Sequence, residues 1–215
     1  NEMKAADEFK KNLDEEKKKD PIKWNLRELL NILTKDNYEE TKSKIFEIIK
    51  ESVEYQEKFL DVLFQKAVHE KSFVKVYAQL CKELDKDLPQ RNQPKDEKKK
   101  STSIMRTKLL DKCREIFQMK NNEKFDEFIK VKDPTERENK LKKFILGNIN
   151  FITELINIQI LSKKIAPQCI HNLFERYENR DSDKQLRLVN IEAILIFTQK
   201  FGTLINQNPN QKMKH

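Results

Sequence analysis

Three histidines, three cysteines and a set of lysine runs are the residues whose chemistry has to be weighed first. A metal site needs His, Cys or carboxylate ligands at short, regular spacing, and His69, His171 and His215 show none. They read as helix-surface or core-edge residues. Cys81, Cys113 and Cys169 are far apart, odd in number and without a CxxC pair. Neither a disulfide framework nor a zinc site is therefore expected, and a reducing compartment fits. No Ser or Cys stands in a recognisable nucleophile context. The chain has only two glycines, which excludes a phosphate-cradling loop or dinucleotide fingerprint, since each needs several in one tight turn. The reading is a non-enzyme with no metal and no cofactor, whose chemistry is binding.

For binding, the informative residues are cations and one aromatic. Lysine runs occur at 17–19, 98–100, 142–143 and 163–164, within a net charge of +8. Lys142, Lys143, Lys163 and Lys164 are the candidates for tracking an RNA backbone. Aromatic interleaving for base stacking is absent, so solvated helix faces are the competing explanation. Trp24 is the only tryptophan and sits at the first turn of the first helix. It is either a binding anchor or a large residue sealing the end of a repeat array.

The elements that must position these residues are helical. Two glycines and six prolines are too few for the turns of an all-β chain. Residues 1–21 form a charged lead-in closed by Pro21, and from Ile22 the apolar residues Leu26, Leu29, Leu30 and Leu33 follow helical spacing. Thr34 is the expected N-cap of a second helix, with Asp36 in its first turn. A third runs over Glu54–Glu70, and Ser72 is expected to cap a fourth over Phe73–Leu84. Residues 88–103 are a polar, lysine-bearing loop expected to be mobile. Met105–Phe117 resumes the helical pattern, while Lys120–Lys132 carries a weaker one. Asp133-Pro134-Thr135-Glu136 then opens a long helix as N-cap, first-turn proline and returning glutamate. A helix over Ser162–Tyr177 tolerates Pro167 only in its first turn. Ser182 with Gln185 makes a capping box for the last helix, whose apolar pattern runs through Leu186, Leu188, Ile191, Ile194, Leu195 and Phe197. Gly202 is expected to mark its end, and 206–215 is a polar tail.

Leu146–Leu161, LGNINFITELINIQIL, is the stretch around which the rest is organised. Ile149, Ile152, Ile156 and Ile160 lie on one side, and Phe151, Leu155 and Ile158 on another, so the helix must be covered on several sides. Asn148, Asn150, Glu154 and Asn157 then lie near the core and need hydrogen-bond partners. Gly147 lets a neighbouring backbone come close. The reading is about eight helices in roughly four antiparallel pairs, each roughly 35–45 residues long, the period of HEAT-type repeats. The fold class is all-α, an α-solenoid over 22–205. Leu63, Phe64, Leu80, Leu110, Cys113, Ile152 and Leu155 are the expected core. There is no apolar run long enough for a bilayer span and no signal-peptide pattern, which points to a cytoplasmic chain without a membrane partner.

Four motifs, in order, resemble the middle domain of eukaryotic translation initiation factor 4G. LLNILT (Leu29–Thr34) resembles its opening, and FLDVLFQKAVHEKSFVKVYAQLC (Phe59–Cys81) its second repeat. MRTKLLDKCREIF (Met105–Phe117) and LGNINFITELINIQILS complete the series, with spacing held from about Leu26 to about Leu204. The resemblance implies a HEAT-repeat scaffold that binds and activates a DEAD-box RNA helicase, initiation factor 4A, and contacts mRNA during ribosome recruitment. Other initiation factors would bind through the rest of a longer protein. Docking on loops and helix ends selects Trp24, Arg27, Lys71 and Phe73, with Asn148 and Glu154 as contacts or supports. Two departures stand beside the likeness. The family domain usually has five helix pairs against four here, so part of the helicase contact and of its ATPase stimulation is expected to be missing. The lysine-rich loop at 95–103 fits no family motif. A sibling middle domain of splicing or nonsense-mediated decay, or a HEAT adaptor unconnected with a helicase, is the alternative.

Overall fold

Asp20 shows how the first helix begins. Its side chain accepts a 3.0 Å hydrogen bond from the Lys23 N–H, and Pro21 occupies the first helical position, where a missing N–H costs nothing. The computed structural model describes residues 14–88, 103–118, 127–128, 130–178 and 184–206. After a helical lead-in at 14–19 come α1 (Pro21–Asn31), α2 (Tyr38–Ile49) and α3 (Val53–His69). A 3-10 turn (Lys71–Phe73) leads into α4 (Val74–Asp87). Then follow α5 (Ile104–Gln118), α6 (Pro134–Asn157), α7 (Ile165–Glu178) and α8 (Lys184–Asn206). No strand occurs among the described residues, so the fold is all-α, as expected. None of the described helices is long and apolar enough to cross a membrane.

The chain divides into two compact units, with the divisions falling inside α3, α4 and α5. One unit comprises Asn1–Leu63 and Leu84–Met105. In it α1 packs on α2, and Leu26, Leu30, Ile45, Ile49, Phe59 and Leu60 are buried. Lys58 of α3 lies 3.1 Å from both the Asp20 and Glu54 carboxylates. Burial acts to raise the Asp20 carboxyl, but the Lys23 N–H and the Lys58 ammonium outweigh it and hold the group below its ordinary value. Asp85, buried near the end of α4, accepts from the Ser103 hydroxyl, also buried.

The other unit comprises Phe64–Glu83 and Arg106–His215. Its centre is α6, which buries Ile149, Phe151, Ile152, Leu155 and Ile156, each such side chain contributing about 1.5–3 kcal/mol. Phe151 meets Phe64 of α3 edge to face, with ring centres 4.9 Å apart. Next to it Gly147 lies against the α3 backbone, where a Cβ would stand 2.7 Å from the Val68 Cα. The close approach expected of this glycine is there. On the far side α8 packs on both α6 and α7, the neighbour-on-neighbour packing of a helical repeat array.

Of the expected core, Leu63, Phe64, Leu80, Cys113, Ile152 and Leu155 are buried, and Leu110 is only half-buried. The buried stripe of α5 runs through Met105, Leu109, Cys113 and Ile116, which leaves Leu110 one residue off the face.

Several expected boundaries move. Helix α2 begins at Tyr38, because Thr34 and Asn37 bond each other in a turn (2.7 Å and 3.4 Å) instead of Thr34 capping a helix. Ser52, not foreseen, caps α3 by accepting from the Tyr55 N–H at 3.1 Å. Ser72 lies inside the 3-10 turn before α4. Asp133 caps α6 as expected, accepting from the Glu136 N–H at 2.8 Å, while the Glu136 carboxylate pairs with Lys140. Helix α6 stops at Asn157, short of Leu161, because Gln159 turns left-handed (φ 66°). The Leu155 carbonyl then receives the Ile160 and Leu161 N–H groups, and both side chains are buried. Pro167 falls in the first turn of α7, where it is tolerated. Gly202 lies within α8, which runs on to Asn206. The Ser182–Gln185 capping box, most of the 88–103 loop, residues 1–13 of the lead-in and nearly all of the tail lie outside the described residues.

Candidate functional site

The turn between α3 and α4 puts two of the expected docking residues side by side. Glu70 closes α3 with its N–H on the Lys66 carbonyl (2.8 Å) and receives the Phe73 N–H on its own (3.0 Å). The Lys66 ammonium lies 2.6 Å from one oxygen of the Glu70 carboxylate, and the Tyr77 hydroxyl donates to the other. Tyr77 is fully buried. Burial first, then the hydrogen bond to Glu70 and its charge, push its phenol above the ordinary value, so it remains a donor. The Phe73 ring rests 5.9 Å from the Tyr77 ring and is 36% exposed. Lys71, Ser72 and Lys75 are exposed. The turn therefore offers an aromatic edge and two cations on a braced backbone.

Asn148 and Glu154 are placed differently. Asn148 is buried in α6, and its amide donates to the Phe144 carbonyl at 2.7 Å. It supports the helix that seats Gly147 and is not itself open to a partner. Glu154 is half-buried near the end of α6 and accepts from the Asn157 amide at 3.3 Å.

In the other unit, Trp24 and Arg27 stand one turn apart on α1, both half-buried. The Trp24 N–H donates to the Asp20 carbonyl at 3.0 Å. Arg27 pairs with Glu16 at 2.9 Å, which ties the helical lead-in to α1.

The four lysines singled out by the charge pattern do not behave alike. Lys142 lies 2.8 Å from Glu192 of α8 and 3.7 Å from Glu138, so it bridges two helices. Glu192 is the main cause of its raised ammonium pKa. Lys143 lines an open hollow at the start of α6 with Asp133, Thr135, Glu136, Asn139 and Lys140. Two carboxylates and two lysines make that lining near neutral, and Lys143 stands exposed at it. Lys163 and Lys164 lie in the α6–α7 turn, where Lys164 is exposed and its N–H donates to the Ser162 hydroxyl at 3.3 Å.

The cysteines are free thiols, all buried, on α4, α5 and α7. The Cys113 thiol is pushed well up by burial, then by Cys169 and Cys81. Residues distant in sequence thus come within electrostatic reach. Among the described residues no group of three His, Cys, Asp or Glu is arranged to hold a metal.

Sequence reasoning missed Glu70, Lys66 and Tyr77 as the brace of the turn. The i,i+4 spacing of Lys66 and Glu70 was visible, but nothing local tied Glu70 to Tyr77. The apolar pattern of the last helix also took in Leu188 and Leu195, which α8 leaves 51% and 65% exposed.

Comparison with known proteins follows the same extent of chain. The MIF4G domain matches residues 25–215. Eukaryotic translation initiation factor 4G of Oryza sativa subsp. japonica is 31% identical over 195 residues, covering 84% of this chain and 10% of the rice protein. Eukaryotic translation initiation factor 4 gamma 1 of Mus musculus is 26% identical over 180 residues, 76% of this chain and 11% of that protein. A von Willebrand factor A domain-containing protein of Dictyostelium discoideum is 27% identical over 157 residues, 73% of this chain and 7% of that protein. The chain spans about a tenth of the length of these relatives.

Proposed function

The chain belongs to the MIF4G domain family, and on that footing we propose that it is a scaffold of translation initiation that docks and activates a DEAD-box RNA helicase of the initiation factor 4A type. The observation that carries this reading is the similarity to initiation factor 4G along 84% of the chain. Docking uses the exposed edge of Phe73 with Lys71, and the α1 positions Trp24 and Arg27, with Glu154 as a further contact and Asn148 as support. A DEAD-box helicase has two RecA-like domains that must close on ATP and RNA. Holding them on one scaffold raises their effective concentration and shortens the search for the closed geometry. The scaffold contributes no bond-making group.

Contact with mRNA is electrostatic and secondary, through Lys143, Lys163 and Lys164, with Lys142 partly occupied by Glu192. Further initiation factors bind elsewhere in a longer protein, and the setting is the cytoplasm. A second reading, an adaptor unconnected with initiation, draws on the similarity to the Dictyostelium protein, whose name carries a different domain.

A pull-down with purified chain against DEAD-box helicases of translation, splicing and decay separates these readings. Preferential capture of initiation factor 4A supports the scaffold. Preference for a splicing or decay helicase moves the assignment to a sibling function, and capture of none favours the adaptor.

A further inference from the structure

Both oxygens of the Glu70 carboxylate are in use, and their partners lie on either side of the turn. Lys66, one turn back on α3, takes Oε1 at 2.6 Å. Tyr77, in the first turn of α4, donates its hydroxyl to Oε2. Glu70 does not cap the turn with its side chain, which leaves the carboxylate available for this bridge. The same residue's carbonyl receives the Phe73 N–H at 3.0 Å, and Phe73 lays its ring beside Tyr77. One residue thus controls the backbone of the turn and, through Tyr77, the seat of its exposed aromatic ring.

Each helix also buries apolar residues that take no part in this bridge. Phe64, Ala67 and Val68 are buried on α3, and Ala78, Leu80 and Cys81 on α4. What the bridge governs is the three-residue turn, where Lys71, Ser72 and Phe73 are exposed. A hydrogen bond to an ionised group is shorter and stronger than a neutral one, and Lys66 offsets the charge of the carboxylate. The exposed cations that flank Phe73 along the chain are then Lys71 and Lys75. Such a surface complements a segment with a carboxylate beside an apolar side chain.

We propose that Lys66, Glu70 and Tyr77 are positioning residues that hold Lys71 and Phe73 as a preformed clamp for an acidic, apolar segment of the partner helicase. The inference rests on the helicase reading given above. Preforming the turn lowers the ordering cost of binding, so loosening it weakens docking even with every contact residue retained.

The test compares wild type with Tyr77→Phe, Glu70→Gln and Phe73→Ala in two assays: affinity for purified initiation factor 4A, and the rate of tryptic cleavage after Lys71. Tyr77→Phe keeps the ring and removes the donor. Glu70→Gln keeps an acceptor and loses the ion pair, so it serves if the tyrosine variant folds poorly. The expected result is faster cleavage after Lys71, with at most a small fall in melting temperature. Helicase affinity should fall about tenfold in Tyr77→Phe, the scale of one charge-assisted hydrogen bond. Adding Phe73→Ala to Tyr77→Phe should cost less than the two single losses combined. Unchanged cleavage, or faster cleavage with wild-type affinity, overturns the positioning role. If Phe73→Ala itself binds as wild type, the clamp is overturned while the helicase reading stands. If wild type binds no helicase, the reading fails and the clamp with it.

Discussion

Gly147 of α6 lies so close to Val68 of α3 that a Cβ on it would stand 2.7 Å from the Val68 Cα and 3.0 Å from its carbonyl oxygen. The obstacle is backbone, so no side-chain rotation relieves it. A glycine that weakens a helix is here the condition for two helices to touch.

Two glycine substitutions should therefore have opposite signs. Gly147→Ala gains about 1 kcal/mol of helix propensity but forces α6 off α3, and overpacking of that kind costs about 1–3 kcal/mol or more. A net loss of stability is expected. Gly202→Ala, also inside a helix, has no atom within 4 Å of its added Cβ. It should stabilise by up to about 1 kcal/mol. Denaturant midpoints of the two variants decide the matter.

Stability should fall as pH rises above about 9. Burial pushes the Cys169 thiol from an ordinary 9.0 to about 12 and the Cys113 thiol well up, and it raises the Tyr77 phenol. The folded chain keeps protons that the unfolded chain gives up, so the unfolded state gains with each step in pH. The loss begins at the unfolded thiol value and, for Cys169, continues until its folded value is passed. Each such group contributes a slope of about 1.4 kcal/mol per pH unit. Chemical denaturation at pH 7 to 11 measures it. The same thiols should react with alkylating reagents only as fast as the unit opens.

Fold class, helix order and most of the central helix were legible in the sequence because they rest on apolar spacing. The Asp133 cap and the close approach at Gly147 were legible too, since each depends on residue types with few alternative uses. The helix boundaries at Thr34, Ser72 and Gly202 were not. Thr34 had Asn37 as a competing partner, Ser72 fell in a 3-10 turn, and Gly202 was carried through by helix α8. The turn between α3 and α4 was half legible. Lys71 and Phe73 were singled out through the resemblance, as residues of a loop and a helix end, but the Glu70–Tyr77 bond links residues seven apart across a change of helix.

Nucleic-acid binding should separate the lysines. Lys143→Glu and Lys164→Glu should weaken binding to single-stranded RNA at unchanged melting temperature. Removing one lysine–phosphate ion pair should flatten the dependence of log affinity on log salt by about 0.7. Lys142→Glu should also lower the melting temperature, since it breaks the bridge to Glu192. Affinity measured between low and physiological salt tests this, and binding indifferent to salt would refute the electrostatic account.

The docking points should also be separable by residue. Phe73→Ala is expected to lower helicase affinity by about tenfold or more, the scale of a buried aromatic anchor. Asn148→Ala should act through stability, because its amide serves the Phe144 carbonyl. Paired melting and binding curves distinguish a residue that touches the helicase from one that supports the fold.

The central claim is most directly tested by the steady-state, RNA-dependent ATPase rate of purified initiation factor 4A, titrated with this chain. The scaffold account predicts a saturable rise in rate, with Phe73→Ala and Trp24→Ala shifting the midpoint to higher concentration. A rate that stays flat up to a large molar excess of the chain would contradict it.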